Sequence, residues 1–91
     1  MAYIAVVGAA NVDIGGFPDG RAMAGDSNPG RVRTSMGGVG RNIACNAARL
    51  GLQTELVTAL GGDSSAGLIR ADCARAGVGL SHALCFPEES T

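Results

Sequence analysis

Glycine punctuates this chain at the ends of its apolar runs, and that punctuation leaves few folds open to it. Tyr3 to Gly8 is a short unbroken apolar run ending in glycine, and Thr54 to Leu60 is another, closed by Gly61-Gly62. Runs this short, bounded by turn residues, fit strands buried on both faces. Helical period appears after them. One stretch runs from about Arg41 to Leu50, with Ile43, Ala47 and Leu50 as the expected buried stripe and Gly51 placed to stop it. The next is capped by Asp63 or Ser64 and continues to about Ala76; Leu68, Ile69, Cys73 and Ala76 are expected inside, and Gly77 ends it. Ser81 to Phe86 reads as a third core strand. Strand, helix, strand, helix, strand predicts an α/β fold with a parallel sheet and right-handed crossovers.

The segment between the first strand and the first helix has a different character. Val12 and Ile14 alternate with Asn11 and Asp13, which suggests an exposed strand over Asn11 to Phe17. Residues 18–30 (PDGRAMAGDSNPG) are dense in turn formers and read as loop. Arg31 to Ser35 alternates again and fits a strand returning from that loop. Crossovers running in one direction place both helices on the same side of the sheet. The other face, lined by Ile4, Val6, Leu56 and Thr58 or their alternates, would then be apolar and uncovered, which normally calls for a partner or more chain. The sequence stops at PEEST without a closing helix, so it reads as the first part of a larger domain.

Composition removes several functional classes. Seven basic residues against eight acidic ones leave a net charge of −1, without the clustered positive charge of a nucleic-acid footprint. All the basic residues are Arg, so no lysine of this chain can hold a phosphate. Cys45, Cys73 and Cys85 show no CxxC or Cys/His ligand spacing. Cys45 and Cys73 fall in helical patterns, where a free Cys behaves as a small hydrophobe, and that suits a reducing cytoplasm. AYIAVVGAA (residues 2–10) lacks a positive flank and reads as a strand, not a signal peptide. No run approaches the roughly 18 apolar residues of a membrane span.

The loop that could carry chemistry is GGVGRN, residues 37–42. As a dinucleotide fingerprint it fails, because Ile43 stands where the third glycine belongs and the loop does not directly follow the first strand. As a P-loop it fails for want of a lysine. Its helix N-terminus still offers free N–H groups to an anion, and a plain tight turn is the alternative. Asn11 and Asp13 lie just past the end of the first strand, where ligands bind in open α/β sheets. A carboxylate and an amide there, facing a glycine loop and the second amide of Asn42, suit a polyhydroxylated ligand: carboxylates accept from hydroxyls and amides both donate and accept. An ordinary Asx turn is the alternative for Asn11 and Asp13.

Together these motifs resemble the PfkB, or ribokinase-like, family of carbohydrate and nucleoside kinases. Gly37-Gly38, Asn42, Ala44, Gly51 and Gly61 stand at the spacing of the family's first signature. Its N-x-D is Asn11-Val12-Asp13. Its G-x-D-x-x-G is approximated by Gly61-Gly62-Asp63 to Gly67, with one extra residue. NVD, SNPG and GGVGRN are similar to the pseudouridine-phosphorylating branch, whereas ribokinase-type members usually have GGKGAN; Val39 replaces that Lys here.

The resemblance implies a Rossmann-like ribokinase fold, of which this is the N-terminal, acceptor-binding part. Asn11, Asp13, Gly37, Gly38, Val39 and Asn42 would surround a sugar or nucleoside, and strands near 12–17 and 31–35 would form a β lid. The reaction implied is transfer of the ATP γ-phosphate to a hydroxyl, the 5′-hydroxyl of pseudouridine above others. Ribokinase, fructokinase and other nucleoside kinases are the alternatives within the family, and a non-catalytic truncated binding module is one outside it. The catalytic Asp, ATP and Mg²⁺ belong to the later half of such kinases, so no catalytic or cofactor-binding residue is expected here. The resemblance admits a monovalent cation and a homodimer formed through the lid; it involves neither nucleic acid nor membrane. Gly38 is expected to be bare to admit the sugar, so Gly38→Val would abolish acceptor binding and spare the fold.

Overall fold

A computed structural model describes residues 3–91; Ala2, the first residue of AYIAVVGAA, lies outside the described residues. The chain runs β1 (Ile4–Val7), β2 (Asn11–Pro18), β3 (Gly30–Gly37), α1 (Val39–Arg49), β4 (Thr54–Val57), β5 (Ala59–Gly61), α2 (Ser64–Ala76), β6 (Val78–Gly79) and β7 (Leu84–Phe86). Strands β1, β4 and β6 form a parallel sheet in that order. This is the expected α/β architecture.

The edge of the sheet departs from expectation. The third core strand is β6, not Ser81 to Phe86, and the Thr54–Leu60 run is two strands divided at Thr58. Gly77 ends α2 in the left-handed region (φ 82°), and the chain pairs with β4 at once. A turn closed by Ala83 N–H to Leu80 O (3.0 Å) then offsets it, and β7 resumes pairing beside β5. Leu84 N–H donates to Thr58 O at 2.8 Å, which bridges the break.

Both helices pack on one side of the sheet, as the crossovers require. Ala44 and Cys45 of α1, Ile69 and Cys73 of α2, and Leu56 and Leu60 of the strands form one core. Complete burial of side chains such as Leu56, Leu60 and Ile69 contributes about 1.5–3 kcal/mol each. The stripe of α1 is not the expected one. Gly40, Ala44 and Cys45 face the sheet and Ala47 of the expected stripe is half-buried, while Ile43 (53% exposed) and Leu50 (81%) face away. On α2, Ile69 and Cys73 are buried as expected and Ala76 partly so, whereas Leu68 is exposed. Small residues win on α1 because its N-terminal turn lies against the backbone of β1. Its C-terminus is the expected glycine stop: Leu52 N–H reaches Ala47 O and Gly51 N–H reaches Ala48 O, with Gly51 at φ 89°.

The far side of the sheet is open, but its lining is the alternate set. Leu56 and Thr58 are buried toward the helices and Val6 is half-buried. Ala5, Val7 and Ala59 are exposed on the other side, and Ile4 is exposed at the start of β1. Period two allows either assignment; which residues turn inward is fixed by where α1 and α2 pack. Ala5 pairs with Glu55, so the open face also carries a carboxylate. Its Oε1 accepts from Ser81 Oγ at 3.1 Å, while Oε2 is buried without a hydrogen-bond partner among the described residues.

Strands β2 and β3 form a separate antiparallel ribbon, in register from Asn11↔Gly37 to Pro18↔Gly30. The loop of residues 19–29 is closed by Asn28, whose Oδ1 accepts from Met23 N–H (2.7 Å) and whose Nδ2 donates to Met23 O (3.1 Å). Among the described residues, no helix is long and apolar enough to cross a membrane.

Candidate functional site

The chain leaves β1 at Val7 and reaches Asn11 in three residues, so the first residues of β2 stand at the C-terminal edge of the sheet. The last residues of β3 return to the same place, because Asn11 pairs with Gly37 and Asp13 with Ser35. Asn11 and Asp13 share one face of β2 by the two-residue period. Both are exposed, and neither side chain has a hydrogen-bond partner among the described residues. The Asp13 carboxylate overhangs Gly37 so closely that a Cβ there would overlap Oδ2.

Gly38 makes the turn from β3 into α1 at φ 93° and serves as the N-cap, with no side-chain cap on the helix. A Cβ on it would lie 2.5 Å from Ala9 O and 2.8 Å from Ala10 Cα. The expectation that Gly38→Val spares the fold is therefore corrected. The space beside Gly38 is occupied by the chain's own backbone, and the positive φ adds strain. Gly40 has a parallel role: its Cβ would meet Gly8 Cα at 2.8 Å, so α1 rests backbone to backbone on the end of β1. Arg41 N–H donates to Ala9 O at 3.0 Å and fixes this contact. Val39, one turn before Ile43, is 73% exposed.

Asn42 lies in the first turn of α1, and its Oδ1 accepts from Arg41 Nη2. A guanidinium only donates, so the amide atom facing it is the oxygen and Nδ2 remains free. No hydrogen bond among the described residues joins Asn42 to Asn11 or Asp13. The geometry thus brings Asn11, Asp13, Gly37 and Gly38 directly together, with Asn42 joined to Gly38 O by its backbone N–H (2.9 Å) and its side chain held by Arg41.

Sequence reading missed Arg41 and Asp72. The Arg41 side chain, only 12% exposed, donates to Gly37 O (Nε, 3.2 Å), to Cys45 Sγ (Nη1, 3.5 Å) and to Asp72 Oδ2 of α2 (Nη1, 2.7 Å). Arg41 was visible beside Asn42, but its partner is 31 positions away, and no local spacing reveals that pairing. Burial pushes the Cys73 thiol up to about 11, with Cys45 and Asp72 adding to the effect and Arg41 opposing it. Asp63, the expected cap of α2, accepts from Ala66 N–H at 3.0 Å. Its carboxyl is held below the usual range chiefly by hydrogen bonds from the Thr91 hydroxyl and backbone N–H, with the Ala66 N–H adding to them.

A chain with this sheet, this ribbon and a glycine loop at the strand ends has the ribokinase-like fold. Across residues 1–91 it matches the family described as pfkB family carbohydrate kinase, and it belongs to that family. It is 37% identical over 89 residues to a pseudouridine kinase of Escherichia coli, covering 98% of this chain and 28% of that protein. It is 40% identical over 89 residues to the uncharacterized sugar kinase YeiI of Escherichia coli, covering 98% of this chain and 25% of that protein. A carbohydrate kinase from Agrobacterium tumefaciens superposes with a TM-score of 0.92 at 32% identity, over 100% of this chain and 29% of that one. The chain therefore spans about a quarter of the length of the curated relatives it matches.

Proposed function

We propose that this segment forms the acceptor side of an ATP-dependent kinase that phosphorylates a sugar or nucleoside, with the 5′-hydroxyl of pseudouridine as the favoured acceptor. The observation that carries the reading is the overhang of the Asp13 carboxylate on Gly37, beside an Asn11 amide without a partner among the described residues. Vicinal hydroxyls donate to a carboxylate and exchange hydrogen bonds with amides. Asn42 Nδ2 adds a donor. Val39 in place of a lysine, together with the similarity to a pseudouridine kinase, favours a nucleoside over free ribose.

The β2–β3 ribbon serves as the lid. It projects from the strand ends that hold Asn11 and Asp13, and a cover that excludes water suppresses hydrolysis of the phosphoryl donor. Its exposed Ile14 and Val32 suit pairing with a second ribbon in a homodimer. ATP would supply the phosphoryl group and Mg²⁺ its charge neutralisation. The contribution proposed for the residues of this segment is to the acceptor. The assignment to the cytoplasm rests on the buried free thiols and on the ATP such a kinase consumes.

The test is product analysis. The complete kinase carrying this segment is incubated with ATP and, separately, pseudouridine, uridine, ribose and fructose. The expected result is a 5′-monophosphate from pseudouridine, formed with a higher kcat/KM than any other product. Preference for ribose or fructose would move the reading to a sugar kinase, and no phosphorylation of any of the four would overturn it.

A further inference from the structure

We propose that Arg41 is a positioning residue that sets the hydrogen-bonding polarity of the acceptor site through Asn42. This rests on the acceptor-binding reading above. The Arg41 guanidinium is largely buried and donates in four directions: to Gly37 O at the end of β3, to Asn42 Oδ1, to Cys45 Sγ, and to Asp72 Oδ2 on α2. Asp72 is itself held by Arg75 at 3.5 Å, one turn along α2. One planar group thus ties the glycine loop, the first turn of α1 and the second helix together.

The consequence for Asn42 is chemical. With Oδ1 turned to a pure donor, the orientation of the amide is set, and Nδ2–H is the group left to meet a ligand. The free carboxylate of Asp13 presents only acceptors. The two residues therefore demand opposite groups: a hydroxyl hydrogen at Asp13 and an oxygen lone pair at Asn42. Without Arg41 the Asn42 amide would rotate freely, and half of its orientations would offer the wrong atom. A lysine could keep the charge opposite Asp72. Its single ammonium could not also reach Gly37 O and Asn42 Oδ1 in the fixed fork of a guanidinium.

The experiment is a double-mutant cycle on the complete kinase, with pseudouridine affinity read by calorimetry and ATP affinity alongside. Arg41→Lys keeps the ion pair and so protects folding. It should weaken pseudouridine binding by up to about tenfold, the upper scale of one hydrogen bond between neutral groups, and leave ATP binding unchanged. Asn42→Ala should weaken it at least as much. In the double variant the effect of Arg41→Lys should disappear, because a residue acting through Asn42 has nothing left to orient. Full additivity of the two losses, or unaltered affinity in Arg41→Lys, overturns the proposal while Asn42→Ala still reports on the acceptor site. If the parent kinase binds neither pseudouridine, ribose nor fructose, the acceptor reading fails and this proposal fails with it.

Discussion

At Gly40 a single hydrogen decides how closely α1 approaches β1. A methyl there would lie 2.7–2.8 Å from the carbonyl carbon and Cα of Gly8, and neither backbone atom can move without shifting the sheet. Gly40→Ala should therefore destabilise the fold by about 1–3 kcal/mol, the range for overpacking a tight contact, measured as a shift of the denaturant midpoint. The existence of this loop was legible because its glycines stand at a recognisable spacing. What each glycine does was not, since a sequence does not say which atoms a Cβ would meet; at Gly38 they belong to Ala9 and Ala10, not to an open cavity. The cysteines were legible for a simpler reason, their helical period. Cys45 and Cys73 are buried and Cys85 is exposed, so a thiol reagent should label one cysteine rapidly and two only on unfolding. The raised Cys73 value means that the folded state favours the neutral thiol. The corresponding stability is complete at neutral pH and declines as pH rises from the usual thiol range through about 11.

Elements were read well in kind and less well in extent. Asp63 was recognisable as the cap of α2 because a short acceptor directly preceded a helical pattern. Its second role was not, because Thr91 lies 28 positions away and binds both carboxylate oxygens. The folded-state pKa is depressed, so this carboxylate stabilises above the ordinary aspartate range, about 4, and the effect is lost as pH falls through the folded value. Asp63→Ala should lower the melting temperature at pH 7, and the gap from the parent should close on acidification. A constant gap at all pH values would exclude the charge as its source. The stripe of α1 failed for a packing reason. Ile43 and Leu50 satisfy helical period as well as Gly40, Ala44 and Ala48 do, but only small side chains let the helix rest on β1. Period gives the stripes, and the close approach of the helix to β1 chooses between them.

For the whole molecule, shape separates what is covered from what is not. The radius of gyration is 16.1 Å, against about 13 Å for a compact domain of 100 residues, and the shortest extent is only 18 Å. The projecting ribbon and the single layer of helices account for this. The open face was legible because the crossover rule puts both helices on one side; which of the two alternate sets lines it was not, because helix placement sets strand phase. With Ala5, Val7 and Ala59 uncovered, the 91-residue chain expressed alone should associate in sedimentation experiments and should not phosphorylate pseudouridine. A cooperative, concentration-independent melt of an active monomer would contradict both expectations. On the proposed reading, this segment recognises the acceptor and leaves the nucleotide to the rest of the kinase. Calorimetric titration of Asp13→Ala in the complete kinase tests this most directly, because the proposed acceptor site rests on that carboxylate, which is exposed, so its removal does not disturb the core. Pseudouridine binding should weaken by about 1.5–3 kcal/mol while ATP binding stays at the parent value; unaltered pseudouridine affinity, or a loss confined to ATP, would contradict the account.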